Sequence, residues 1–287
     1  MHSQSDPGAR VVVGAALCVL ALPVLWVFSV SVQPPASPYQ GGFSLLPSEV
    51  TFDGYLRLIL ENHRGMRDAM AFSVVIVGVS TVIAMMLALS AVYVVRVFQT
   101  SGMAAQSTRN MIFGLFFLPP FAVFPAYQLS EIWLPWAGSS VLQLVFHYVL
   151  TGFVFAFMLL YIIFAKVSDR VVEETLIQTK SRWLTFRFAM FKPELAGVLA
   201  VAMMTFAALW NDFLVPSLIA GAEALKPFSV VLQTFREQRS TDFSTFAAGA
   251  LLSMLLSLLV PFLLFLVGVL VVRLLGRARW LFRFFAE

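Results

Sequence analysis

Residues 173–193 read "EETLIQTKSRWLTFRFAMFKP". Charge is dense there: Glu173, Glu174, Lys180, Arg182, Arg187 and Lys192 all fall within this stretch. Apolar runs lie on either side of it, at 141–164 and 195–219. Each reaches the ~20 residues that an α-helix needs to cross a bilayer's hydrocarbon. A soluble domain would bury those runs in a core and leave the charged helix on its surface. In a membrane protein the same helix must be a loop held at the membrane face.

Composition decides for the membrane. Of 287 residues, 60% are hydrophobic and 12% charged, against about 25% charged in soluble domains. The class is an all-α integral membrane protein, read as one transmembrane domain over 1–287. Six segments have the length and polarity of spans: 11–32, 70–95, 111–129, 141–164, 195–219 and 246–272. The third is interrupted by Pro119, Pro120 and Pro125, so a broken or re-entrant helix is open there. The first run exceeds the h-region of a secretory leader and is expected to be a retained helix.

Lys and Arg set the orientation. With the N-terminus inside, the inner side receives Arg10, Arg96, Arg109, Lys166, Arg170, Lys180, Arg182, Arg187, Lys192, Arg273, Arg277, Arg279 and Arg283, thirteen of the nineteen. The remaining six lie in the longer outer loops 33–69 and 220–245. An N-in, C-in topology follows, and residues 165–194 form a cytoplasmic loop. In the first outer loop, "LPSEVTFDGYLRLI" predicts a turn and then a short helix with Tyr55, Leu56, Ile59 and Leu60 as its apolar side.

In the charged stretch, Val172, Leu176, Thr179, Trp183, Phe186 and Met190 recur at helical spacing. Such a stripe suits a helix lying on the inner leaflet with its basic residues near headgroups. It equally suits a groove on a partner protein. Adjacent Glu173 and Glu174 favour a basic protein partner over an anionic leaflet.

Span five carries "TFAALWNDFLVPSLI", residues 205–219. Ionisable groups within a span are expensive and face a bundle interior or a wet cavity. Asn211 and Asp212 therefore either cap or kink the helix near the outer interface, with Trp210 as an interfacial anchor, or line the solute path; the two roles are compatible. In span four, Gln143 and His147 share a face with Thr151 one turn on. A helix-to-helix hydrogen bond is the plain reading of His147, and a gating contact the sharper one.

Other chemistries are absent from the sequence. No glycine-rich loop precedes the Lys180–Ser181 pair, so ATP hydrolysis by this chain alone is not expected. Three histidines and one cysteine offer no metal-ligand spacing. Cys18 sits alone in an apolar run.

The stretch 174–193 resembles the "EAA" loop of the inner-membrane permeases of ATP-binding-cassette importers. That loop has Glu-Ala-Ala, then Asp-Gly-Ala, with a proline nineteen residues after the glutamate, as Glu174 and Pro193 are spaced. Trp183 and Phe186 lie within a residue of its aromatics. Thr175 and Leu176 stand for the two alanines, and Thr179–Lys180 for Asp-Gly. The family's glycine permits a tight bend. Lysine would meet a steric cost in the left-handed backbone such a bend uses, which leaves a bend of different build open here.

Trp210, Asn211, Asp212, Phe213 and Pro216 resemble the Trp-Asn-Asp/Glu-Phe-x-x-Pro stretch of the carbohydrate-importing branch. "ALSAVYVVR" (88–96), "FLPPFAVFPAY" (117–127) and "DFSTFAAGALLSMLLSLLVPFLLF" (242–265) resemble other parts of that branch, while its Gly-rich C-terminal tail is replaced by "RARWLFRFFAE". The resemblance is to the six-span subunit of the maltose-type pair, a type I ABC importer permease.

It implies a permease subunit of an ATP-driven, binding-protein-dependent importer of a sugar or oligosaccharide, in a bacterial or archaeal cytoplasmic membrane. It also implies a second permease subunit, two ATPase subunits that bind ATP and Mg, and an extracytoplasmic solute-binding protein. Glu173, Glu174, Leu176, Thr179, Lys180, Trp183, Phe186 and Pro193 would couple to the ATPase. Trp210, Asn211, Asp212, Gln143 and His147 would line the path or its gate. Gln233, Arg236 and Gln238 would meet the binding protein. Two alternatives remain: the same fold with another cargo (polyamine, glycerophosphodiester or lipid-like), or a stand-alone transporter with His147 and Asp212 as a proton couple.

Overall fold

The computed structural model describes residues 7–34, 49–98, 139–219, 226–235 and 243–283, with the single positions 47, 107, 110 and 114. Among these the chain is helical, with no strand. The helices in order are α1 (Pro7–Ser31), α2 (Asp53–Ile59), α3 (Met66–Tyr93), α4 (Ser140–Phe164), α5 (Asp169–Thr179), α6 (Arg182–Thr185), α7 (Leu195–Trp210), α8 (Leu214–Ile219), α9 (Phe228–Gln233) and α10 (Phe243–Arg283). Wide π turns extend α3 through Val94–Phe98 and α6 through Phe186–Phe191.

Four helical stretches are long and apolar enough to cross a membrane: Arg10–Ser31, His63–Val97, Ser140–Phe164 and Phe243–Leu266. A fifth is counted if Arg182–Phe191 and Leu195–Trp210, which meet at 80°, form one bent span. The chain is a multi-pass membrane protein. The sequence-predicted span at 111–129 lies outside the described residues. The predicted span 195–219 is not one helix: it stops at Trp210 and resumes at Leu214.

The described chain falls into two compact units, Met1–Met70 with Val230–Leu256 and Ala71–Ser229 with Ser257–Glu287. In the first, α1 exposes its apolar surface over most of its length, as a helix covered by lipid or by another subunit does. Its last turn is polar and buried: Ser31 Oγ shares a 2.8 Å hydrogen bond with the Tyr55 hydroxyl, and Gln33 Nε2 donates to Ser29 Oγ. Leu58 is the fully buried side chain of α2, whereas Leu56, Ile59 and Leu60 are exposed. The short helix lies where it is predicted, but Leu58, outside the predicted apolar set, is the leucine it buries within this chain. The packing face is set by Gly54, whose missing Cβ lets α2 approach the backbone of Ser244 and Thr245 at the start of α10.

In the second unit, α7 runs along α4. Gly152 makes their approach close, because a Cβ there would sit 3.1 Å from both Ala84 and Leu209, the role small residues play between membrane helices. One apolar cluster joins α3, α4 and α7 to the charged stretch. Phe157, Leu160 and Phe164 pack with Val172 of α5 and with Phe186 and Met190 beyond α6. The charged segment is therefore fastened to the spans by its apolar side.

Candidate functional site

Two constellations carry chemistry, both in the second unit. The first is the segment between α4 and α7. The stripe predicted as one continuous helix is broken at Lys180. This residue has φ 51° and ψ 17°, and its N–H closes α5 onto the Leu176 carbonyl. Ser181 then caps α6 by accepting from the Leu184 N–H. Thr179 Oγ1 lies 3.0 Å from Thr185 Oγ1 and donates to the Thr175 carbonyl, so it ties the two arms of the corner. A left-handed conformation costs a non-glycine residue about 1–2 kcal/mol. The bend is therefore built as a glycine would build it, with lysine bearing the strain, and not in a different way.

The corner sorts the stripe. Val172, Phe186 and Met190 are buried, Leu176 and Thr179 are half-buried, and Trp183 is 59% exposed. Glu173 and Glu174 face solvent on α5, with Glu174 Oε1 accepting from Arg170 Nε at 2.8 Å. Beside them, at helical spacing, is Ile177, 75% exposed on an otherwise charged helix. Residue-type reasoning passed over Ile177, because it lies off the stripe. Ile177 thus sits on the same solvent-facing side of α5 as the two carboxylates. Pro193 follows the π turn, where the chain bends into α7.

Arg96 is the other residue the sequence reading missed. Its guanidinium donates to the Val167 carbonyl at 2.7 Å and the Phe164 carbonyl at 3.4 Å, and lies 3.2 Å from Asp169. These groups are the last residue of α4, the link that follows it and the first residue of α5. The end of span two thus clamps the point where span four becomes the loop. The only sequence signal was an arginine closing an apolar run.

The second constellation is the break after α7. Asn211 ends the helix: its backbone N–H and its side-chain amide both donate to the Ala207 carbonyl. The Asp212 carboxylate accepts from His147 Nε2 of α4 at 2.6 Å. His147 is fully buried, while the Asp212 side chain is 18% exposed. Ser229 Oγ donates to the Asp212 carbonyl, and the Phe228 N–H donates to Ser73 Oγ. At the break the Asn211 and Asp212 N–H groups and the Asp212 carbonyl thus find partners, as broken helices in lipid require.

A half-open cavity of about 260 Å³ adjoins this break, with Thr151, Phe155, Thr205, Asn211 and Asp212 among its lining. Asn211 and Asp212 both line it, and Asp212 also meets α4 through His147. Gln143 is buried one turn before His147. Trp210 is 3% exposed and stacks on Phe206 and on Phe228. Its ring belongs to the packing beneath the break and offers no open face. Gln233 is half-buried at the end of α9, while Arg236 and Gln238 lie outside the described residues.

No family model matches the chain. It is 27% identical over 248 residues to the trehalose transport system permease protein SugB of Mycobacterium tuberculosis, covering 84% of each chain. It is 28% identical over 204 residues to the diacetylchitobiose uptake system permease protein NgcG of Streptomyces coelicolor, covering 69% of this chain and 64% of that one. Both relatives are, by name, permease proteins of sugar transport or uptake systems, not enzymes.

Proposed function

We propose that this chain is a transmembrane permease subunit of an ATP-driven, binding-protein-dependent importer that carries a sugar or oligosaccharide across a bacterial cytoplasmic membrane. The observation that carries the reading is the Lys180 corner between α4 and α7. It stands where the importer family places its bend, and it yields two short helices with opposite duties. Similarity to the two sugar permeases over most of the chain supports the cargo class.

In this reading the N-terminus and the 165–194 loop face the cytoplasm, and six spans are completed by residues 111–129. Glu173, Glu174 and Ile177 dock in a cleft of one of two ATPase subunits, which bind ATP and Mg. When the ATPases close, α5 moves as a lever. Arg96 ties its first turn to the ends of spans two and four. The Lys180 corner and the Phe186–Met190 anchor pass the displacement to α7. The outer end of α7 is the 211–213 break, held to α4 by Asp212 and His147. Movement of α7 against α4 then loads that hydrogen bond and opens or closes the cavity beside it. A second permease subunit supplies the other wall, and an external binding protein delivers solute near Gln233.

The test is purification of the tagged chain in mild detergent from a host bearing its own genomic neighbours. A co-purifying ATPase, a second permease and ATP-dependent sugar uptake after reconstitution are expected. Uptake by the chain alone, driven by a proton gradient and indifferent to ATP, would overturn the reading in favour of a proton couple at His147 and Asp212.

A further inference from the structure

We propose that the groove between α3 and the α6 segment binds one acyl chain of an anionic phospholipid, with the headgroup held by Arg187. The groove has a volume of about 510 Å³ and is walled mainly by Leu89 and Tyr93 of α3 and by Trp183 and Phe191. Besides the amphipathic rings of Tyr93 and Trp183, its polar lining residues are Ser90 and Arg187. The Ser90 hydroxyl donates to the Met86 carbonyl, so Arg187 is the charge the groove offers an occupant.

The loop's charges are partitioned at the Lys180 corner. Before it, Asp169, Glu173 and Glu174 are mixed with Lys166 and Arg170, while after it Arg182, Arg187 and Lys192 run without an acid until Glu194. Among the described residues neither Arg187 nor Lys192 meets a carboxylate. Both cations flank the exposed ring of Phe188, at 5.6 and 6.0 Å from its centroid. Arg182–Phe191 turns 80° away from α7. If α7 runs along the membrane normal, that segment lies in the membrane plane, where interfacial helices carry basic and aromatic residues. Basic pockets between spans take up lipid headgroups. An extended peptide would need partners for its backbone that an apolar groove does not supply, whereas an acyl chain needs none. The inference needs only a membrane protein and stands whatever the cargo.

The full-length chain, delipidated in detergent and reloaded with phosphatidylglycerol or phosphatidylcholine, tests this by native mass spectrometry. One phosphatidylglycerol per chain is expected to be retained at least about five-fold more tightly than phosphatidylcholine, the factor that one basic residue near a headgroup provides. Arg187→Gln should erase that preference. Ser90→Trp should fill the groove and lower retention of both lipids while helical content and gel-filtration profile persist. Equal retention of the two lipids by the wild type would overturn the proposal, as would a preference unchanged in Arg187→Gln.

Discussion

His147 Nε2 lies 2.6 Å from Asp212 Oδ2, across 65 residues of sequence and between two helices of the membrane bundle. The histidine is fully buried and the aspartate borders a cavity. An ionisable group within a span is costly unless it faces a partner or a wet cavity, and here a buried donor and a half-open cavity both offset that cost. The pair locks the break in span five to span four. That makes it the natural place for a transport movement to be felt.

Asp212→Asn keeps shape and one hydrogen bond. Asp212→Ala leaves the buried imidazole without this partner, at about 1–3 kcal/mol. The alanine variant should therefore unfold at lower temperature than the asparagine variant. Solute uptake should fall in both, while the assembled complex and its basal ATPase activity survive in Asp212→Asn. Wild-type uptake in Asp212→Asn would reduce the pair to a structural cap.

Lys180→Gly should be tolerated and should raise the melting temperature slightly. Glycine relieves a left-handed strain of about 1–2 kcal/mol, less the backbone entropy that glycine loses on folding. Lys180→Pro should do the opposite, since proline cannot adopt φ 51° and has no N–H for the Leu176 carbonyl. Stimulated ATPase activity should vanish in the proline variant while membrane insertion persists. If the glycine variant fails to assemble, the corner is not a preformed hinge.

Four of the predicted spans coincide with long apolar helices, because a long apolar run has one physical outcome in a bilayer; α4, at Ser140–Phe164, lies within a residue of its predicted limits. Local pattern did not show the corner, since nothing in a lysine announces a positive φ; only the resemblance, which sets Lys180 at a bend glycine, pointed to it. It emerges because Val172 on one side and Phe186 and Met190 on the other are buried in one cluster, and tertiary packing fixes the bend between them. The His147–Asp212 pair was only half legible. Each polar residue stood out within its span, but partnership across helices is a property of register, which local pattern does not carry. Leu58 makes the same point in miniature: the approach of α2 at Gly54 chose it over Leu56 as the buried leucine.

Gly152 should resist enlargement. An added Cβ would stand 3.1 Å from Ala84 and Leu209 and 3.4 Å from Thr205. Overpacking of this kind costs about 1–3 kcal/mol. Gly152→Ala should therefore lower thermal stability measurably, and Gly152→Val should lower it further. A melting temperature unchanged in Gly152→Val would mean that α4 and α7 are not in close contact.

Arg96 should matter through its hold on the loop. Its ion pair with Asp169, which is largely exposed, is worth under about 1 kcal/mol. The guanidinium's bonds to the Val167 and Phe164 carbonyls are the stronger tie. Asp169→Asn should accordingly leave uptake near wild type. Arg96→Gln should keep insertion but lower uptake more than ATP hydrolysis, because α5 would move without carrying the spans. Equal loss of both activities would assign Arg96 to folding alone.

Glu174→Lys should uncouple transport. Among the described residues, Glu174 pairs only with Arg170 one turn back, on an exposed helix face. Such i,i+4 pairs are worth about 0.3–0.5 kcal/mol, and the reversed charge costs a similar amount. That is too little to unfold α5, which remains anchored by Val172. Any large effect on uptake must therefore arise outside this chain, at a partner surface with basic groups. The expected result is normal insertion, normal protease resistance and a loss of ATP-driven uptake, with Ile177→Asp producing the same pattern from the apolar half of the face. A compensating basic-to-acidic change on the ATPase should restore uptake to Glu174→Lys and leave Ile177→Asp unrescued. If Glu174→Lys and Ile177→Asp both import normally, α5 is not the coupling element, and the exposed glutamates serve only to keep that helix in water.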